Sequence, residues 1–316
     1  MYDVNKIRSD FPILTRMVNN KPLVYLDNGS SAQKPKVVID AVSKAYSEEY
    51  SNVHRGLHTL SNLATDNYEC VRDKIKNFLG AEFSEEIIFN SGATEGINTV
   101  SYSWAVPNLK AGDEIILSIM EHHANIIPWH FLRERQGVII KWVDTDDNGD
   151  LNAQSVIDAI SPKTKLIAIT QMSNVLGTVV DVKEICRVAQ EKNIATLIDG
   201  SQSSVHLPIN VKELGCDFFV ITGHKLYGPS SSGALYARKK RHEEMINFMG
   251  GGDMIKVVER DLVTYNVSPH RFEAGTPGIV QMIGLGAAID YMQGIGLEHI
   301  SKHETSLRDY ANVKLS

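Results

Sequence analysis

Two side chains define the chemistry this sequence could carry. The apolar run Ala195 to Ile198 reads as a buried strand, and it ends in an acid, Asp199, where such a strand emerges at the rim of a sheet. Twenty-six residues on, behind a second apolar run, Thr222-Gly223-His224-Lys225 lets the backbone turn sharply and leaves a lysine amine at the same rim. A lysine able to form a Schiff base and a carboxylate able to keep a pyridine nitrogen protonated are the pair that pyridoxal 5′-phosphate (PLP) chemistry requires. Read singly, a strand-end Asp serves as often as a cap or turn former, and a loop Lys is ordinarily solvated.

A third element, Asn90-Ser91-Gly92-Ala93-Thr94-Glu95-Gly96, follows the apolar run Glu86 to Phe89 and opens a helix. Free amides and the positive end of the helix dipole suit a phosphate there, with plain capping by Ser91 or Thr94 as the competing reading. His122, between Glu121 and His123, has two readings: an imidazole laid on a cofactor ring, or a hydrogen-bonded buried histidine. His54 and His58, and likewise His299 and His303, have the i,i+4 spacing of metal ligands on a helix, but Gly56 and the lack of a third ligand argue against a metal. Gly228 to Gly233 imitates a nucleotide P-loop, yet Ala234 and Leu235 stand where Lys and Ser/Thr are required, so ATP is not expected.

These residues need a scaffold that brings strand ends together. Leu23 to Leu26, Glu86 to Phe89, Glu114 to Ser118, Val138 to Val143, Lys165 to Thr170, Ala195 to Ile198 and Asp217 to Thr222 read as strands. Between them Val37 to Tyr50, Thr65 to Leu79, Thr94 to Ala105, Ser155 to Ile160 and Val182 to Lys192 carry helical spacing, with Gly80, Gly112 and Gly137 as stops. The alternation predicts an α/β fold with a mostly parallel, doubly wound sheet, in which ligands sit outside the carboxyl ends of the strands.

At 316 residues, 43% of them hydrophobic, the chain can bury one large core with a smaller appendage. Net charge is −6 and the longest basic run is Arg238-Lys239-Lys240-Arg241, read as a solvated strand end, so nucleic acid is not an expected partner. The first residues lack an apolar signal region and no stretch approaches ~18 apolar residues, which excludes a membrane span and leaves the cytoplasm as the default compartment. Cys70, Cys186 and Cys216 are widely spaced and are expected to be reduced, structural thiols.

Taken together, YLDNGSSAQKP, VHRGLHTLS, SGATEGIN, MEHHANIIPW, SNVLGT, LIDGSQ, TGHKLYGP and RFEAGTP resemble, in order, the class V branch of PLP fold-type I enzymes. Within that branch they resemble the cysteine desulfurases and selenocysteine lyases of the sulfur-mobilisation type, from Phe11 to the end. The resemblance implies Lys225 as Schiff-base lysine, Asp199 on the pyridine nitrogen, His122 stacked on the ring and Gln202 on its phenolic oxygen. It further implies Thr94, Thr222 and His224 on the phosphate, and Thr276 reaching the phosphate held by the neighbouring subunit of a homodimer. Asn174 and the loop bearing His54 and Arg55 would lie near the substrate, L-cysteine or L-selenocysteine. The implied organisation is an N-terminal arm over 1–22, a large PLP domain over 23–290 and the start of a C-terminal domain over 291–316.

The implied reaction converts L-cysteine to L-alanine and passes sulfur to an enzyme cysteine, then to an acceptor protein for iron–sulfur cluster assembly. That nucleophilic cysteine belongs to a C-terminal segment beyond Ser316, and none of the three cysteines falls in a matching motif. Cys70, within the helical stretch Thr65 to Leu79, is expected to pack. Two alternatives therefore stand beside the desulfurase: a remnant that binds PLP or dimerises without turnover, and a selenocysteine lyase. Gly29-Ser30, Ser230, Ser231 and Gly278 also depart from the family pattern.

Overall fold

Alternation along the strands accounts for the architecture of the computed structural model, which describes residues 2–315. In Glu114–Ser118, Ile115 and Leu117 enter one apolar cluster and Ile116 the other; Leu166 and Ala168 oppose Ile167 and Ile169 in the same way. Strands buried on both faces need helices on both, and each fully buried Ile or Leu contributes roughly 1.5–3 kcal/mol.

The main sheet has seven strands: Ile87–Asn90 (β1), Glu114–Ser118 (β2), Ile139–Val143 (β3), Thr164–Thr170 (β4), Ala195–Asp199 (β5), Phe218–Thr222 (β6) and Gly233–Ala237 (β7). Their spatial order is β1-β7-β6-β5-β4-β2-β3. β3, β2, β4, β5 and β6 are parallel, whereas β7 runs antiparallel to both β6 and β1. The mostly parallel sheet expected from the sequence is therefore present, with a reversed strand near one edge.

Lys36–Glu48 (α1), Thr59–Leu79 (α2), Val182–Glu191 (α5) and Ile279–Ile295 (α6) lie on one face; Ala93–Thr99 (α3) and Ile127–Gln136 (α4) lie on the other. In α2 the buried stripe Ala64, Tyr68, Val71, Ile75 and Phe78 follows four- and three-residue steps, and Gly80 ends the helix at φ +65°. Gly137 ends α4 similarly, but Gly112 lies in the turn before β2 and stops no helix. The helix expected over Thr94 to Ala105 changes character: after Thr99 the segment Val100–Ala105 is π-helical. α6 continues through residue 290 to Ile295, and the chain turns at Gly296 into Leu297–Leu315 (α7).

Two expectations are corrected here. Leu23 to Leu26 forms no strand, and Val24 and Leu26 are exposed, because an apolar run supplies no ladder partner by itself. The basic tetrad is not merely solvated: Arg241 is buried, and Arg241 and Lys240 lie 3.1 and 3.2 Å from the two carboxylate oxygens of buried Asp217. A carboxylate taken out of water at a strand start requires such counter-ions. Among the described residues no helix is long and apolar enough to cross a membrane.

Candidate active site

Because β2, β4, β5 and β6 are parallel, their carboxyl ends open on one side of the sheet, and there they surround a cavity of about 390 Å³. Asp199 closes β5, is 4% exposed, and accepts a hydrogen bond from the Ser201 amide at 2.9 Å. Lys225 lies beyond β6 in the same wall. Burial pushes its amine below the usual lysine range, with the Asp199 carboxylate acting in the opposite direction. Burial thus moves the amine toward the uncharged form that a nucleophile or a base requires.

His122 caps the turn after β2 by accepting the Ala124 amide on Nδ1 at 3.1 Å, and its ring borders the cavity. Burial, followed by the nearby Lys225, lowers its pKa and favours the uncharged imidazole. Burial and then Lys225 likewise lower that of His224. At the other wall Glu95 accepts the Ser91 amide at 2.8 Å and Asn90 Oδ1 accepts that of Gly92 at 2.9 Å, which leaves Ala93 and Thr94 to face the cavity. Gly92 adopts φ +138°, and a Cβ there would meet Thr222 Oγ1 at 3.0 Å, so a side chain would crowd this turn against β6.

Of the residues named from sequence, Thr94, His122, Asn174, Asp199, Gln202, Thr222, His224 and Lys225 line this one cavity. Thr276 does not; it lines a separate cavity of about 200 Å³ beyond the Ser91–Glu95 turn. His54 and Arg55 are also elsewhere: Arg55 forms an ion pair with Asp253, and His54 Nε2 lies 2.8 Å from Glu69 Oε1. His54 and His58 do not pair, since His58 caps α2. Glu69 and His270 gather around His54 instead, but Glu69 also takes hydrogen bonds from Arg72 on both oxygens.

Sequence reasoning missed the brace behind Lys225. The carbonyl of His224 accepts the Ala32 amide at 3.0 Å and Lys34 Nζ at 3.2 Å, and Gln202 Nε2 donates to the Gly29 carbonyl at 2.8 Å. The segment around Gly29 to Lys34 thus pins the lysine loop. Thr170, at the end of β4 beside Asp199, also lines the cavity; its strand-end position was the available signal. Cys70 is exposed, correcting its expected packing role, whereas Cys186 and Cys216 are buried with thiols pushed above the usual range by burial. No cysteine is among the residues that line the cavity.

Gly200 shows how tightly Asp199 is seated. A Cβ on it would fall 2.1 Å from two ring carbons of fully buried Phe219. Gly200→Ala is expected to cost about 1–3 kcal/mol in urea unfolding through overpacking. An unchanged midpoint would show that β6 yields freely.

This sheet order, with an amine, a carboxylate and an imidazole around a cavity at the carboxyl rim, defines a fold-type I transferase. The chain belongs to the class-V aminotransferase family, which matches residues 24–316, and within it to the cysteine desulfurases. A probable cysteine desulfurase of Xylella fastidiosa is 48% identical over 313 residues, 99% of this chain and 75% of its own length. The apo structure of cysteine desulfurase from Thermococcus onnurineus superposes with a TM-score of 0.94 at 34% identity, covering 100% of this chain and 77% of that one. A protein solved in complex with cysteine gives 0.75 at 29% identity, covering 85% and 73%.

Proposed function

We propose that this chain holds PLP on Lys225 and acts on L-cysteine as a desulfurase, releasing L-alanine and handing sulfur to a thiol. The observation that carries this reading is the convergence of Lys225, Asp199, His122 and the Ala93–Thr94 turn on one cavity. The donor set fits the cofactor: an amine for its aldehyde, a carboxylate for its ring nitrogen, and hydroxyls with backbone amides for its phosphate. When bound, PLP supplies a ring that accepts electrons from the substrate.

The protein's own groups do the rest. Asp199 would keep the ring nitrogen protonated, His122 would cover one face, and Gln202 would donate to the phenolic oxygen. Thr94, Thr222 and His224 would hold the phosphate, with Thr276 serving the neighbouring subunit's phosphate in a homodimer. Asn174 and the His54–Arg55 loop would lie close to the substrate. Lys225 Nζ would take the α-proton and later return one, a general base whose charged form burial disfavours. The large domain assigned to 23–290 carries these groups apart from Thr276's counterpart in the second subunit.

The thiol that accepts sulfur is not Cys186 or Cys216, which are buried, and Cys70 lies outside the cavity wall. Under this reading a thiol outside the cavity wall would take the sulfur, and an iron–sulfur assembly protein in the cytoplasm would then receive it. The thiol-free cavity wall also favours a second reading, a selenocysteine lyase, in which selenium would be released at the elemental level with alanine and without an enzyme thiolate. Incubating PLP-supplemented protein with each amino acid separates the two. With dithiothreitol present to reduce the released chalcogen, alanine and sulfide from L-cysteine are the expected products; alanine and selenide from L-selenocysteine alone would favour the lyase, and turnover of neither would sink both.

A further inference from the structure

Glu121 is a buried carboxyl group that the proposed mechanism does not use. It stands one residue before His122, only 6% exposed, in the turn that follows β2. Oε1 accepts from Ser118 Oγ at 2.6 Å and Oε2 from Asn125 Nδ2 at 2.7 Å, while Asn125 Oδ1 accepts from the indole of fully buried Trp129 at 3.1 Å. The partners from its own turn, from the His123–Asn125 turn and from α4 are thus neutral, as is the backbone of Thr170 on β4. The charged group that faces it is Asp199 on β5, and that charge has the same sign. Of its chain neighbours, His122 is influenced by Lys225 and Asp199, and both His122 and His123 line the adjacent cavity with it.

A carboxylate buried without a cation is unfavourable, and a like charge beside it adds to the cost. Burial, opposed by the Ser118 and Asn125 hydrogen bonds, accordingly pushes Glu121 up to about 7. We infer that Glu121 is a positioning residue with two settings: neutral, it braces the His122 turn through Ser118 and Asn125, and ionised, it adds a second negative charge to that of Asp199 and tightens the hold on a protonated ring nitrogen. This inference rests on the proposed PLP site. It makes cofactor retention depend on pH through a side chain that never touches the cofactor.

The signs can be checked in two independent measurements. A carboxyl whose folded pKa is raised contributes stability that is full below its unfolded pKa and lost as pH rises through the folded value. The cofactor-free protein should therefore lose stability relative to Glu121→Gln as pH rises from about 4.5 to about 7, and hold a constant difference above that. PLP affinity moves the other way. Between about pH 5.5 and about pH 8.5, the wild-type affinity divided by that of Glu121→Gln should rise roughly tenfold, the coupling expected of one pKa unit.

A structural loss alone would lower the variant's affinity by the same factor at every pH, leaving the ratio flat. A ratio that stays flat while both proteins bind PLP overturns the inference and leaves the functional reading intact; no PLP binding by wild type at any pH overturns both. Should Glu121→Gln fail to fold, Ser118→Ala provides the same test. Removing a donor that favours the charged form should move the midpoint of the wild-type pH dependence upward, and an unmoved midpoint overturns the inference.

Discussion

Lys225→Ala is expected to abolish the visible absorbance that PLP gives when it is joined to the protein, and to lower turnover of L-cysteine by at least on the order of 10³. The magnitude follows from two losses at one atom. Under the proposed mechanism Nζ would be both the covalent anchor for the aldehyde and the general base that moves the α-proton. His122 and Asp199 share the cavity, but His122 Nδ1 accepts the Ala124 amide and Asp199 would face the ring nitrogen, so neither would replace the amine. The fold should not suffer with the activity. Burial already disfavours charge on this lysine, so removing it relieves a desolvation cost, and the urea midpoint of the cofactor-free variant is expected to match or exceed wild type. A variant that unfolded, or one that kept the band, would place the anchor elsewhere.

Arg72→Ala is expected to give the largest loss of stability, about 3–5 kcal/mol in urea unfolding. Arg72, 3% exposed on α2, donates to the Ile87 carbonyl at 2.7 Å, to both Glu69 oxygens at 2.8 and 3.0 Å and to both Glu273 oxygens at 2.7 and 3.0 Å. Its guanidinium also stacks 4.0 Å above the Phe89 ring. Glu273 in turn accepts the Phe89 amide at 2.7 Å. Truncating Arg72 leaves that nearly buried carboxylate without a counter-ion, and Glu273→Gln in the same background should restore part of the loss. The consequence reaches three loops, because His54 adjoins Arg55, Phe89 leads into the Ser91–Thr94 turn, and Glu273 lies three residues before Thr276.

The same hub gives an acid-side signature. Burial alone would raise Glu69, yet hydrogen bonds from His54 and Arg72 pull it down to about 2. A depressed carboxyl stabilises the fold fully above its unfolded pKa and loses that contribution as pH falls through the folded value. Wild type should therefore lose stability between about pH 4.5 and about pH 2, more steeply than Arg72→Ala does. Parallel acid curves for the two proteins would show that Arg72 does not hold Glu69.

Much of the active cavity was legible in the sequence because strand ends are local features. An apolar run followed by Asp-Gly or by Thr-Gly-His-Lys marks where a strand leaves the sheet, and parallel strands release those residues on one side. The same local rules fail where pairing decides the outcome. Leu23 to Leu26 has the apolar run of a strand but finds no neighbour, and the tetrad at Arg238 looks solvated until Asp217 is seen among its charges. Cys70 carries a helical address but sits on the outer side of α2.

The sequence by itself determined an α/β sheet with Asp199, Lys225, His122 and the Ser91–Thr94 turn at its carboxyl rim, since strand period and turn residues act over a few positions. Only the tertiary structure decided what steadies them: Lys34 on the His224 carbonyl 190 residues away, Arg72 on Glu273 across 201, and Glu121 confined beside Asp199 without a cation. Such contacts have no local signature. They depend on which helix face meets which loop once both cores close, and the energy that makes them matter comes from the burial that closure imposes.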